Sequence, residues 1–111
     1  MTKCLAQLGN GSVMKYSVRH TPQANREIAV IADALAPYPN MGKRIFQEMD
    51  RKLKGLEGNP FAWPIYHANP KYRRLNMENH SLFYIVDEDK HEVIVCHIYY
   101  AKRDISNLLE E

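Results

Sequence analysis

The chain has 111 residues, of which 45% are apolar and 25% charged, with a net charge of +2. That is enough chain for one domain with one core, at the composition of an ordinary globular protein. The small net charge excludes a global basic field for nucleic acid, so any such surface has to come from where the 15 Lys and Arg are placed.

No run approaches the roughly 20 apolar residues of a membrane span, so no membrane association is expected. Cys4 and Cys96 lack CxxC or Cys/His spacing. The sequence therefore predicts no metal site and no cofactor, and a reduced, cytoplasmic setting. Residues 1–13 end in Gly9-Asn10-Gly11-Ser12 and carry no signal-peptide pattern. They read as a disordered leader to a domain spanning 14–111.

Taken in order, Lys15–His20 alternates, with Tyr16 and Val18 on one side, as a half-buried strand does. Thr21-Pro22 starts a helix, with Thr as N-cap and Pro at the first helical position. Ala24, Ile28, Ile31, Ala32 and Leu35 form its apolar face. Pro37 and Pro39 are expected to end it, with Ala36–Asn40 as a tight connection. A second helix is expected from about Met41 to Leu56, with Ile45, Met49, Leu53 and Leu56 as its stripe and Lys43, Arg44, Arg51, Lys52 and Lys54 on the charged side. Two amphipathic helices with a short link make an αα-hairpin. The charged side is either an ordinary solvated face or a guide along RNA phosphates.

Asn59–Pro70 holds three prolines with Phe61, Trp63, Ile65 and Tyr66, and should pack on the body. Tyr72–Arg103 then contains three alternating runs joined at Met77–Asn79 and Asp87–Lys90, the pattern of an antiparallel meander. Strict alternation puts Leu82, Tyr84, Val86, Ile94, Cys96 and Ile98 in the core. Ser81, Phe83, His97 and Tyr99 then face the other way. Asp104 is placed to cap a short C-terminal helix through Leu109. The expected fold is α+β: an N-terminal strand, an αα-hairpin, a three-stranded antiparallel meander and that helix, in two layers.

Tyr16–Ala24, the Leu56–Pro60 exit, Tyr72-Arg73-Arg74-Leu75, Asn79–Asp87 and Val93–Asp104 together resemble the RelE/ParE toxin superfamily of type II toxin–antitoxin systems, over residues 14–109. The resemblance implies the toxin half of such a pair, with a cognate antitoxin as partner. It implies two possible modes: a ribosome-dependent mRNA endonuclease, acting on the ribosome and its message, or a ParE-like, non-catalytic DNA gyrase inhibitor. An inactive antitoxin-binding remnant is a third reading. Resemblance of fold does not choose among them.

Metal-free RNA cleavage needs a base for the 2′-hydroxyl, cations at the phosphate and an acid for the leaving oxygen. Arg73 is the family's expected phosphate clamp, or else a solvated charge on an edge strand. Adjacent strand residues point to opposite faces, so only one of Arg73 and Arg74 can line a given cleft. Ser81 stands where nuclease members resembling this chain carry an arginine, a loss that Arg74 or His80 can offset. Tyr99 and Tyr100 stand where those members place a catalytic histidine, and His97, on the same face as Tyr99, is the available substitute. Arg103 is expected to contact phosphate or to balance Asp104 at a helix start, and Leu109 replaces a family tyrosine. The expected catalytic set is therefore Arg73, His97, Tyr99, Tyr100 and Arg103, with Lys71, Arg74, His80 and Lys102 contacting RNA.

Overall fold

The computed structural model describes residues 15–100. The expected leader and C-terminal helix, with Lys102, Arg103 and Leu109, lie outside those residues. The elements are β1 (Ser17–His20), α1 (Pro22–Leu35), α2 (Pro39–Gly58), β2 (Arg73–Asn76), β3 (His80–Asp87) and β4 (Glu92–Tyr100). No helix among the described residues is long and apolar enough to cross a membrane.

Helix α1 starts as its sequence dictates. The Thr21 hydroxyl accepts from the Ala24 N–H at 3.1 Å, and Pro22 opens the helix, a cap whose loss costs about 1 kcal/mol. Helix α2 begins two residues earlier than expected. Pro39 opens it instead of lying in the connection, because a fixed φ and a missing N–H suit a first turn. The stripe Ile45, Met49, Leu53 and Leu56 is buried as expected. On α1 only Ala24 is fully buried, while Ile28, Ile31 and Leu35 are half-buried and Ala32 is exposed among the described residues.

The three expected meander strands join β1 in a single four-stranded sheet of order β1-β4-β3-β2. The β2–β3 and β3–β4 pairs are antiparallel, and β1 runs parallel to β4, from Ser17 opposite Glu92 to His20 opposite Val95. The helices cover one face. There Leu56, Leu75, Leu82, Tyr84, Val93, Val95 and Ile98 form the main core with α2.

One irregularity corrects the expected core. Phe83 pairs with His97, but Tyr84 pairs with Val95, leaving Cys96 as an extra residue in β4. Such a bulge reverses the inside–outside alternation of a strand. Before it Val93 and Val95 point to the helices, and after it Ile98 does. The expected core residues Ile94 and Cys96 are only half-buried, and Cys96 packs on the other face.

The other face, to which alternation assigns Ser81, Phe83, His97 and Tyr99, carries a core of its own. Phe83 is 0% and Tyr99 8% exposed, in a second apolar cluster with Tyr72. The aromatic loop 59–72 does pack on the body, as its composition predicts. The Tyr84 hydroxyl donates to the Pro60 carbonyl at 2.8 Å, the Arg74 N–H to Pro64 O at 3.1 Å, and the Tyr66 N–H to Tyr72 O at 2.8 Å. The loop thereby runs beside the outer edge of β2 and lays Tyr66 against Phe83, ring centroids 5.0 Å apart.

Replacing Leu82 by Ala is expected to cost about 2–5 kcal/mol in urea unfolding, as for a fully buried leucine. Ile94→Ala should cost less than half as much; equal losses would place Ile94 in the core and refute the bulge. A second expectation concerns pH. Burial, the larger influence, holds His20 and His80 below the ordinary histidine value of 6.5, with Asp50 and Glu48 partly opposing it. A histidine whose pKa is lower in the folded state favours the fold fully above its unfolded pKa and withdraws that stability as pH falls toward the folded value. The urea midpoint should therefore drop as pH falls below the ordinary histidine value of 6.5, and His20→Gln with His80→Gln should flatten that slope.

Candidate functional site

The site arises where β1 stops. Beyond Val95, no strand among the described residues pairs with β4 on that side, so its outer edge turns backbone groups toward α1. Helix α1 supplies their partners. The Thr21 N–H donates to Val95 O at 3.0 Å, and its hydroxyl donates to Cys96 O at 3.4 Å. Six residues further along the helix, Glu27 Oε1 accepts from the Ile98 N–H at 3.0 Å.

The second Glu27 oxygen faces the histidine. Glu27 Oε2 lies 3.3 Å from His97 Nδ1 and also accepts from Gln23 Nε2 at 3.0 Å. Tyr99 Oη lies 2.9 Å from the same His97 Nδ1, with the two rings stacked at 20°. The Tyr72 ring meets His97 edge-on at 5.7 Å. The carboxylate and imidazole side chains are 14% and 18% exposed, so carboxylate, imidazole and phenol share a site mostly withdrawn from water.

A cation stands across the sheet. Arg74 pairs with Phe83, which pairs with His97, so the three form one row. Two strand spacings put Arg74 and His97 about 10 Å apart at the backbone. The Arg74 Nε–H donates to Ser81 Oγ at 3.0 Å, and its guanidinium lies over Tyr66 at 5.4 Å and Phe83 at 5.9 Å. These partners are neutral, so they orient the guanidinium without cancelling its charge. The guanidinium of Arg74 is thus held beside Ser81 from the neighbouring strand.

The other candidates separate. Arg73 pairs with Tyr84 and belongs to the helix-side face. Its Nη1 donates to Trp63 O at 2.7 Å, and its guanidinium stacks over Phe61 at 4.9 Å. It therefore does not join His97 and Tyr99. His80 and Tyr100 pair with each other, rings 5.7 Å apart, at the end of a groove on the helix side. His80 is 7% exposed and its Nδ1 has no hydrogen-bond partner. Lys71 is exposed over the Tyr72 ring at 5.5 Å, on the margin of the Arg74 face. Lys102 and Arg103 lie outside the described residues. Among the described residues no three His, Cys, Asp or Glu side chains converge as a metal site.

The groove beside Tyr100 has a volume of about 850 Å³ and is lined mainly by Val30, Ile31, Leu35, Met41, Ile45 and Ile98. Val30 and Met41 are among the most exposed apolar side chains.

Sequence reasoning missed Glu27. It flanks the apolar stripe of α1 one residue before Ile28, a position that reads as an ordinary polar boundary residue. Its role depends on where β1 ends relative to β4, a long-range fact with no local signature.

The family model for the ParE toxin of type II toxin–antitoxin systems matches residues 18–105. No curated protein matches the sequence. Among solved structures, a chain of the chromosomal ParDE toxin–antitoxin system from P. aeruginosa is 22% identical, with a TM-score of 0.64, over 80% of this chain and 98% of that one. A chain of the E. coli RelBE toxin–antitoxin complex is 18% identical, with a TM-score of 0.60, over 79% and 99%. A chain of the RelBE2 complex from Mycobacterium tuberculosis is 15% identical, with a TM-score of 0.59, over 82% and 97%. These identities carry the fold, and the match along most of the chain carries the family: the protein belongs to the ParE toxins of type II toxin–antitoxin systems, within the RelE/ParE superfamily.

Proposed function

We propose that this toxin arrests growth by metal-independent cleavage of messenger RNA on the ribosome, at the sheet face that carries Arg74, His97 and Tyr99. The observation that supports this reading is the double replacement on one face. Arg74 stands at Ser81, where the resemblance leads one to expect an arginine, and His97 is hydrogen-bonded to Tyr99, where it leads one to expect a histidine.

In the reaction, the 2′-oxygen bonds to phosphorus while the bond from phosphorus to the 5′-oxygen breaks. The products are a 2′,3′-cyclic phosphate and a 5′-hydroxyl. His97 Nε2 takes the 2′-hydroxyl proton, and the leaving oxygen takes a proton from water or an acidic group of the ribosomal site. Arg74 supplies positive charge to the crowded phosphate, and Lys71 is placed to hold the flanking backbone. The partly closed face, with Tyr99 and Phe83 buried, agrees with a requirement for the ribosome to present the message. A cognate antitoxin is the expected partner, and the apolar groove with exposed Val30 and Met41 is where an amphipathic helix of that antitoxin would find a counterpart.

A second reading is favoured by the family model itself, which is that of ParE. There the toxin binds DNA gyrase without cutting anything.

Induction of the chain without antitoxin, with growth rate and transcript 5′ ends recorded, separates the two. The expected result is arrest with new 5′ ends phased within codons, and a loss of cutting of about 100-fold or more in Arg74→Ala. Arg73→Ala, which loosens the loop without removing the cation of the face, should lose clearly less cutting than Arg74→Ala. Arrest with intact messages and inhibited supercoiling by purified gyrase would overturn the nuclease reading in favour of gyrase.

A further inference from the structure

Two groups compete for one nitrogen in this site. His97 Nδ1 lies 2.9 Å from Tyr99 Oη and 3.3 Å from Glu27 Oε2. If the Tyr99 hydroxyl donates to it, Nδ1 is bare and the ring proton sits on Nε2. If Nδ1 carries the proton, it donates to the carboxylate and Nε2 is bare. A carboxylate has lone pairs and no proton to give, so Glu27 gains from its position only in the second arrangement.

Glu27 is also fixed in place. The Ile98 N–H holds Oε1 at 3.0 Å, and Gln23 Nε2 donates to Oε2 at 3.0 Å. The carboxylate is 14% exposed, which limits the water available to compete for it. Its site is built by the fold, since β1 ends at His20, opposite Val95, and among the described residues no strand pairs with the Ile98 N–H on that side.

We propose that Glu27 is a positioning residue for His97: its carboxylate accepts the Nδ1 proton, selects that tautomer and presents a bare Nε2 from the far side of the ring as the proton acceptor. The purpose assigned to the tautomer rests on the nuclease reading, whereas the tautomer itself does not. The cutting scheme needs an imidazole that can take the 2′-hydroxyl proton, and the opposite tautomer offers an N–H there instead. Tyr99 then accepts from or packs on the imidazole and keeps the ring plane fixed through the stack.

The test uses the full-length chain labelled with ¹⁵N-histidine, freed from its antitoxin, at a pH where the imidazole is neutral. Long-range proton–nitrogen spectra of the wild type should show His97 protonated at Nδ1. Glu27→Gln keeps the shape and a carbonyl for the Ile98 N–H but turns an NH₂ group toward Nδ1. It should move the proton to Nε2 and reduce message cutting at least about tenfold, with thermal unfolding changed by only a few degrees. A wild-type His97 protonated at Nε2 overturns the proposal even if the variant folds poorly. So does a Glu27→Gln protein that keeps the wild-type tautomer or cuts at the wild-type rate. If the tautomer behaves as expected but the wild type cuts no message, Glu27 still holds His97, and the nuclease reading alone falls.

Discussion

The extra residue at Cys96 decides what this sheet presents on each side. With no bulge, the alternation that buries Val93 and Val95 would carry His97 and Tyr99 into the helix-side core and turn Ile98 outward. An imidazole and a phenol would then replace an isoleucine in the layer under α1, with hydrogen-bonding groups stranded among apolar side chains. With the bulge, both ends of β4 satisfy the core, and its last residues deliver His97 and Tyr99 to the face that also carries Arg74. One inserted residue thus reconciles a continuous apolar layer on one side with the His97–Tyr99 pair on the other.

A second constraint follows from the shortness of β1. Its four residues cover only Glu92–Val95 of a nine-residue partner. The remaining edge would be a row of open backbone donors and acceptors, but α1 is anchored directly there because its N-cap, Thr21, sits at the strand end. That anchoring fixes the rotation of the helix and brings Glu27, one and a half turns later, to Ile98 and His97. Edge protection and site assembly are therefore the same set of hydrogen bonds. Loss of the Glu27 oxygen at Ile98 would both reopen an edge N–H and release the histidine.

Much of this was legible in the residues. The Thr21-Pro22 helix start, the α2 stripe and the two meander joints follow from local chemistry, and each appears where that chemistry puts it. Pro39 was ambiguous because the same fixed φ both ends one helix and begins another. The faces of β4 were misread because a bulge leaves no mark in an apolar run such as Val93-Ile94-Val95-Cys96, where every residue is an acceptable core residue. Alternation says which side Phe83 and Tyr99 take but not what covers that side. Here the covering comes from the aromatic loop, whose tendency to pack down was visible but whose destination was not. The same limit applies to the two arginines. Alternation required Arg73 and Arg74 to part company, and only the register of β2 against Phe83 and Tyr84 told which one would lie beside Ser81.

The aromatic covering then explains how an arginine can wait on this face. Ordinarily a half-buried guanidinium is held by a carboxylate, which would neutralise it and repel a phosphate. Arg74 is held by the Ser81 hydroxyl and by the faces of Tyr66 and Phe83, contacts that offset part of its desolvation while leaving the net positive charge intact. Arg73, by contrast, is spent on the Trp63 carbonyl and the Phe61 ring and ties the loop to β2. The loop that Arg73 secures is the one that places Tyr66 over Phe83. Of two adjacent arginines, one builds the platform and the other is displayed on it.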